Sequence, residues 1–507
     1  MNSPIVIRAD ASTRIGTGHV MRCLALAQAW QDSCGRPLFA MSMDAPALVD
    51  RLKSEGMEVV HLSAEPGSLE DAEMTADLAK KMGAAWVVVD GYHFGSDYQR
   101  IIKESGLRLL FIDDNGHADH YYADIVLNQN LHANEELYKN REPYTKLLLG
   151  TEYVLLRREF WPWRGWKREI PEVACKVLVT LGGSDPDNVT LKVIQALLQI
   201  EQLVAVVVLG GSNPHYEELL SSLEDNPAID LKKNVNNMPD LFAWADLAIS
   251  SAGTTTWELA FMGLPSLIII LAENQVKVAG QLDSAGIAKN LGWHNRLDPP
   301  DISQGISSIL SDADARASMA KLGRRTIDGF GVDKALIALS EGSIRLRIAC
   351  GTDCQQVYEW ANDPDSRASS FSTDPISWKE HVLWFEDKVR DPDSILYIVQ
   401  DVQNNSLGIV RFDLDGPYAT ISINLDRSAR GRSLASPIIT RAVENLFAER
   451  EIYGVNAFIR PNNIKSIRAF ENSGFSFDDY KTVKGIEALQ YIRKWPFERG
   501  GCHRRQE

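Results

Sequence analysis

Gly16-Thr17-Gly18-His19 places a histidine where an apolar run, Ile5-Val6-Ile7, gives way to a helix-like run from Met21 to Trp30. Glycines at such a point let the backbone turn sharply and approach a ligand closely. The free N–H groups at the start of the following helix suit a phosphate or a developing negative charge. The same positive helix pole disfavours the protonated form of His19, and a neutral imidazole facing a crevice is what a general base at pH 7 requires. A second stretch, Ser251-Ala252-Gly253-Thr254-Thr255-Thr256-Trp257-Glu258, follows the apolar run Leu247–Ser250. Small hydroxyl residues and a glycine at a helix start make a diphosphate cradle, and Glu258, one turn further on, is placed to accept hydrogen bonds from both hydroxyls of a ribose. Gly182-Gly183-Ser184-Asp185, after the run Lys176–Leu181, is a third glycine loop. Taken singly, each also reads as an ordinary strand–helix turn, a solvent-facing histidine or an N-cap cluster. Together, at three strand ends, they point to a phosphate-bearing ligand.

The elements that must position these loops alternate short apolar runs with amphipathic helical runs. Strands are predicted at Ile5–Arg8, Leu38–Ser42, Glu58–Leu62, Trp86–Asp90, Leu107–Asp113, Ile125–Asn128 and Lys146–Gly150, with helices such as Pro46–Ser54 and Ser68–Met82 between them. A second series follows a Trp- and Arg-rich linker, Arg158–Ile170, with strands at Lys176–Leu181, Ala205–Leu209, Leu247–Ser250 and Leu267–Ile270 and a closing helix near Asp312–Gly329. Short β-branched runs ending in glycine fit parallel strands buried on both faces, whose C-terminal ends open into loops. After residue 343 the pattern changes to strands at Ile344–Ile348, Ile395–Asp401, Ser406–Asp413, Tyr418–Leu425 and Gly454–Ile459, with helices around Cys354–Asn362, Ser377–Asp387 and Ser436–Arg450. The expected organisation is an α/β chain: two Rossmann-type domains, 1–165 and 166–342, an α+β domain at 343–497 and a flexible tail at 498–507.

The loop string Arg8-Ala9-Asp10 … Ile15-Gly16-Thr17-Gly18-His19-Val20-Met21-Arg22-Cys23-Leu24 resembles the start of PseG-type nucleotide-sugar hydrolases of pseudaminic acid biosynthesis. The resemblance spans residues 4–340 and includes Val89-Asp90-Gly91-Tyr92, Asp113-Asp114, Leu181–Asp185, the 251–258 cradle and Ala272-Glu273-Asn274-Gln275. It implies a GT-B architecture and hydrolysis of UDP-2,4-diacetamido-2,4,6-trideoxy-β-L-altropyranose, in which water attacks the anomeric carbon and UDP leaves. By the same resemblance His19 is the base, and Asp10 orients His19 or the sugar. Tyr92, Asn274 and Gln275 touch the sugar, while Gly183, Ser184, Ser251, Thr254 and Glu258 hold UDP. UDP is already a good leaving group, so a positioned water and donors aimed at the diphosphate suffice, and no metal is expected.

Arg427-Ser428-Ala429-Arg430-Gly431-Arg432-Ser433 reads as an arginine-rich turn before a helix, suited to a pyrophosphate. Asn462–Phe475 has helical spacing ending in a glycine C-cap. In this order the two resemble the GNAT acetyltransferases, and Trp360–Pro364, Arg367, His381 and Trp384-Phe385 resemble the PseH-type amino-sugar N-acetyltransferases. That resemblance implies acetyl-CoA as cosubstrate, held by Arg430, Gly431, Arg432, Ser433 and Asn463. Two residues depart from the pattern: Ser433 replaces a glycine, and Phe470 replaces the tyrosine that protonates the leaving thiolate. His381 and Glu380 are candidates for the base that deprotonates the amine.

The expected whole is a bifunctional enzyme that N-acetylates a UDP-4-amino-sugar and then removes UDP. Two alternatives compete: a glycosyltransferase using the same crevice, and a hydrolase carrying a non-catalytic CoA-binding domain. Among the 507 residues, a net charge of −15 argues against nucleic-acid partners. No signal peptide or apolar stretch long enough to span a bilayer is evident. Six scattered cysteines fit reduced thiols in the cytoplasm.

Overall fold

The computed structural model describes residues 4–495, apart from positions 13–14, 34, 85, 184, 212, 224–225, 234, 342–343, 402–403 and 431–433. The segment 498–507, expected to be a flexible tail, therefore lies outside the described residues. Packing divides the chain into two compact units, Met1–Ala335 and Leu336–Glu507.

The first unit contains two parallel sheets. One is built from β1 (Pro4–Ala9), β2 (Arg36–Met41), β3 (Glu58–His61), β4 (Trp86–Asp90), β5 (Arg108–Ile112), β6 (Ile125–Asn128) and β7 (Lys146–Leu149). Its order is β3-β2-β1-β4-β5-β6-β7. The other is built from β8 (Lys176–Thr180), β9 (Val204–Leu209), β10 (Ile229–Lys233), β11 (Leu247–Ser251), β12 (Ser266–Ile270) and β13 (Lys289–Trp293), in the order β10-β9-β8-β11-β12-β13. Both are doubly wound, and in both the chain reverses direction across the sheet between the first strand and the fourth. That reversal point fixes where the loops expected to bind a ligand must emerge: after β1 and β4 in one sheet, after β8 and β11 in the other.

The inner strands are largely buried, as the apolar runs require; every residue of β4 and of β12 is buried, whereas the edge strands β3, β7, β10 and β13 are partly exposed. Aliphatic clusters fill both faces of the second sheet. The segment expected to be a linker is a packed strap. Its 3-10 helix Arg158–Trp163 buries Phe160 against Phe242 and Phe261. The adjacent Arg157 and Arg158 reach in different directions. Arg157 bonds Glu258 on the second-sheet side at 2.8 Å, and Arg158 bonds Asp32 at the end of the helix Gly18–Asp32 (α1) at 2.7 Å.

The second unit is one sheet made of β14 (Ile344–Ile348), β15 (Ser394–Asp401), β16 (Ser406–Asp415), β17 (Tyr418–Leu425), β18 (Gly454–Ile459), β19 (Ser476–Val483) and β20 (Ile486–Lys494), in the order β14-β15-β16-β17-β18-β20-β19. Pairing is antiparallel except between β17 and β18, which run parallel and touch only from Tyr418↔Gly454 to Thr420↔Asn456. Beyond that point the two strands part. Among the described residues, Cys23, Cys175, Cys350 and Cys354 are free thiols, and no helix is long and apolar enough to cross a membrane.

Candidate active site

β1 and β4 pair up to Ala9↔Asp90, so the loop after β1 and the end of β4 emerge side by side. Gly16 takes a φ of +77°, a conformation open to glycine, and the turn delivers the chain into α1. His19 is the second residue of that helix, and its Nδ1 lies 2.6 Å from Asp90 Oδ1. Burial alone would raise the Asp90 pKa, but Arg22 and His19 hold it below the usual carboxylate range. An ionised Asp90 accepts from Nδ1–H, which leaves the lone pair on Nε2. His19 is 9% exposed and lines the cleft.

Arg22, one turn along α1, donates through Nε and a terminal nitrogen to Asp90 and through the other terminal nitrogen to Asp114, at 2.6 to 2.7 Å. Asp114 also accepts from Asn130 at 2.7 Å and from the Tyr92 hydroxyl at 3.0 Å. Despite its burial Asp114 is held well below the ordinary carboxylate range by Arg22. The Tyr92 ring stands edge-on to the His19 ring at 4.8 Å.

The expectation that Asp10 orients His19 is corrected. Asp10 pairs with Arg8 at 2.7 Å and accepts the backbone N–H groups of Ser42 and Met43, which tie down the exit of β2. Burial opposes ionisation, but His93, Arg8 and Ser42 bring the Asp10 pKa down to about 2. Asp10 follows β1 and turns toward the exit of β2, whereas Asp90 ends β4 beside α1, so the carboxylate that meets the imidazole is Asp90.

The second sheet meets this crest with loops of glycines and hydroxyls, with Asp185 and Asp187 further along the first of them. Gly182-Gly183 and Ser251–Thr255 leave β8 and β11 as neighbours, and both line a cleft of about 380 Å³ together with His19, Tyr92, Asn274 and Gln275. Gly183 faces Thr17 so closely that a Cβ there would lie 2.9 Å from the threonine side chain. Gly18 lies close to Thr254, where an added Cβ would be 3.5 Å from the hydroxyl. Asn274 Nδ2 reaches the Tyr92 hydroxyl at 3.5 Å, and the Gln275 side chain accepts from Leu271 N–H at 3.0 Å. Ser184 lies outside the described residues. Glu258, expected at a ribose, is instead engaged by Arg157 and borders a small void beside Arg22 and Thr254. Burial pushes its pKa up, against the pull of Arg157. Among the described residues no three His, Cys, Asp or Glu side chains gather as a metal site.

In the second unit, the parting of β17 and β18 opens a wedge just ahead of the turn that leads into the helix Ala435–Glu449. Among the described residues no side chain caps that helix. Arg430, expected to contribute charge there, is turned inward. It bonds Asp363, Ser366 and the Leu425 carbonyl, and so staples the helix Pro364–Ser369 to the end of β17. Gly431, Arg432 and Ser433 lie outside the described residues. Asn463 caps the helix Ile464–Asn472 through Ser466 N–H. Phe470 is buried against Phe475 with ring centroids 5.0 Å apart. Of the two candidate bases, His381 is buried, bonds the Cys354 carbonyl through Nε2 and has its pKa lowered by burial, and Glu380 closes a capping box with Ser377.

Asp90, Asp114 and Arg22 stand within the motifs above without a role there. Two of them carry a signal. Asp90 is the charged end of an otherwise apolar strand, and Arg22 sits three residues after His19, on the same helix face.

Residues 177–327 match the model of the glycosyltransferase family 28 C-terminal domain, and residues 343–476 match that of the acetyltransferase (GNAT) domain. Two domain models thus match successive parts of the chain, a glycosyltransferase family 28 C-terminal domain followed by a GNAT acetyltransferase domain. The chain is 25% identical to an uncharacterized protein of Methanocaldococcus jannaschii over 97% of this chain and 99% of that one. It is also 25% identical to a spore coat polysaccharide biosynthesis protein of Bacillus subtilis, over 66% of this chain and 97% of that protein. The UDP-2,4-diacetamido-2,4,6-trideoxy-β-L-altropyranose hydrolase of Campylobacter jejuni is 25% identical over 56% of this chain and 97% of its own length. The resemblance to hydrolases of this type is thus met by a relative of that name.

Proposed function

We propose that the first unit hydrolyses UDP-2,4-diacetamido-2,4,6-trideoxy-β-L-altropyranose to the free sugar and UDP, and that the second transfers acetyl from acetyl-CoA to the amine of the UDP-4-amino-sugar that precedes it. The observation that carries the hydrolytic reading is the His19–Asp90 pair at 2.6 Å, at the edge of a cleft whose opposite wall is made of glycines and hydroxyls. His19 Nε2 takes a proton from water, the water oxygen bonds the anomeric carbon, and the bond from that carbon to the diphosphate oxygen breaks with its electrons. Backbone N–H groups and the Thr254 hydroxyl, which caps nothing, suit the charge that collects on the departing diphosphate. Tyr92 and Asn274, one from each wall, would hold the hexose between them.

For the acetyl transfer, the wedge between β17 and β18 and the uncapped helix Ala435–Glu449 fit an extended thioester cosubstrate. Asn463 borders the same region by the motif resemblance. Having both activities on one chain raises the local concentration of the shared intermediate.

Incubation of the full chain with the UDP-4-amino-sugar, with and without acetyl-CoA, followed by mass spectrometry and anomeric NMR, tests both halves. Acetylated free sugar plus UDP is the expected result. Inertness until an acceptor is added would favour glycosyl transfer. CoA binding without turnover would make the second unit a binding module.

A further inference from the structure

Arg22 holds none of the roles assigned above, yet it touches more of the charged crest than any residue those roles name. It is 4% exposed and follows His19 by one helical turn, so both side chains leave α1 on one face. Its guanidinium brackets both oxygens of Asp90, reaches Asp114, and comes within 3.3 Å of His19 Nδ1. Two pairs therefore meet at one cation: Asp90 with the His19 imidazole, and Asp114 with the Tyr92 hydroxyl.

The charge count gives this junction a consequence. Two carboxylates, Asp90 buried and Asp114 partly buried, sit beside the imidazole with one guanidinium between them. Taking that guanidinium away would leave both negative charges facing His19, which favours the imidazolium and removes the lone pair that a base needs. Taking Asp114 away would do the reverse. Groups on the other elements do not upset the count. Tyr92 presents a ring edge; Asp185 caps the helix Val189–Leu197; Glu258 is paired with Arg157; and Asp187, 63% exposed, is screened by solvent.

We infer that Arg22 is a positioning residue that keeps His19 ready to accept a proton by offsetting one of the two carboxylates beside it, and that it fixes Tyr92 through Asp114. The inference rests on the hydrolytic reading through His19.

The test is a set of pH–rate profiles for UDP release by the full chain, alongside NMR titration of the His19 imidazole in the absence of substrate. In Arg22→Gln the acid limb should move up by about one pH unit or more, which is about a tenfold deficit at pH 6 that shrinks toward pH 9. Arg22→Lys should shift it less. Asp114→Asn should move the limb down and raise KM, because Tyr92 loses its charged acceptor. Combining Arg22→Gln with Asp114→Asn should bring the limb back toward the wild-type position while KM stays high. The imidazole titration should follow the same order. A loss in Arg22→Gln that is equal at every pH, with an unmoved imidazole titration, would overturn the inference. If that variant does not fold, Asp114→Asn decides alone, and an unshifted limb and titration would overturn it. Full turnover by His19→Gln would defeat the hydrolytic reading instead, and the imidazole titration would still judge Arg22.

Discussion

The two sheets of the first unit share a winding order, but their crests carry different chemistry. The first crest buries charge: Arg8, Asp10, Asp71, Arg22, Asp90 and Asp113 are each at most 4% exposed. The second offers glycines, Ser251 and Thr254, and its buried Asp185 caps a helix. Buried charges persist only where they are paired and hydrogen-bonded, and here each has a partner. The difference teaches that the shared topology supplies a location, the reversal point of each sheet, while the residues placed there divide the work. On the proposed reading, one wall fixes a proton acceptor and the other approaches an anion with backbone.

The sharpest way to break this division is to remove the base. His19→Gln should cut turnover by about 10²–10⁴-fold, the usual weight of a general base, and leave UDP affinity nearly unchanged. A large loss of UDP binding, read by calorimetry, would mean the charged wall also binds the nucleotide. The converse test lies on the neutral wall. A Cβ at Gly210 would fall 2.4 Å from the Gly183 carbonyl oxygen, and backbone cannot give way as a side chain can. Gly210→Ala should therefore push the Gly183 loop out of place, costing about 1–3 kcal/mol of stability. UDP affinity should fall while the charged crest stays intact.

Smaller effects probe the meeting of the walls. Asn274→Ala should raise KM several-fold with little change in kcat, because its 3.5 Å contact to Tyr92 spans the cleft rather than the reacting bond. A fall in kcat matching that of His19→Gln would assign the residue to the chemistry instead. The mildest test concerns His117, whose two ring nitrogens face Asp113 and the Phe94 carbonyl, both at 3.0 Å. Burial opposes its charge, but Asp113 and the carbonyl hold the pKa above the ordinary value. A raised folded-state pKa means the stabilisation is complete below the unfolded-state value and is lost as pH climbs through the folded one. The Tm difference between wild type and His117→Gln should thus shrink as pH rises above about 6.5. An unchanged gap would show that the ring acts by packing alone.

Most of this architecture was legible because parallel strands buried on both faces announce themselves as apolar runs. β4 and β6 fall at the expected residues, and β1, β2 and β5 within two. β10 and β13 were not foreseen, since Ile229–Lys233 alternates charge with apolar residues and Lys289–Trp293 carries Asn290 and Gly292. At the site, glycines and His19 were legible because their local geometry is encoded in neighbouring residues. Asp90 in place of Asp10 was not, because strand order decides which carboxylate reaches α1. For the same reason Arg430 read as a free cation, while Asp363, its partner, lies 67 residues away.

Arg157 and Arg158 are consecutive, yet one grips Glu258 and the other Asp32. A single peptide link thus joins two clasps, and any swing of one sheet against the other must strain one of them within the span of a residue. A ribose that claims Glu258 would compete with Arg157 and release the clasp on the nucleotide side, while Arg158 keeps the strap tied to the helix that carries the imidazole. Filling and emptying of the cleft would then be felt as motion at one point of the strap, without any change in the sheets themselves.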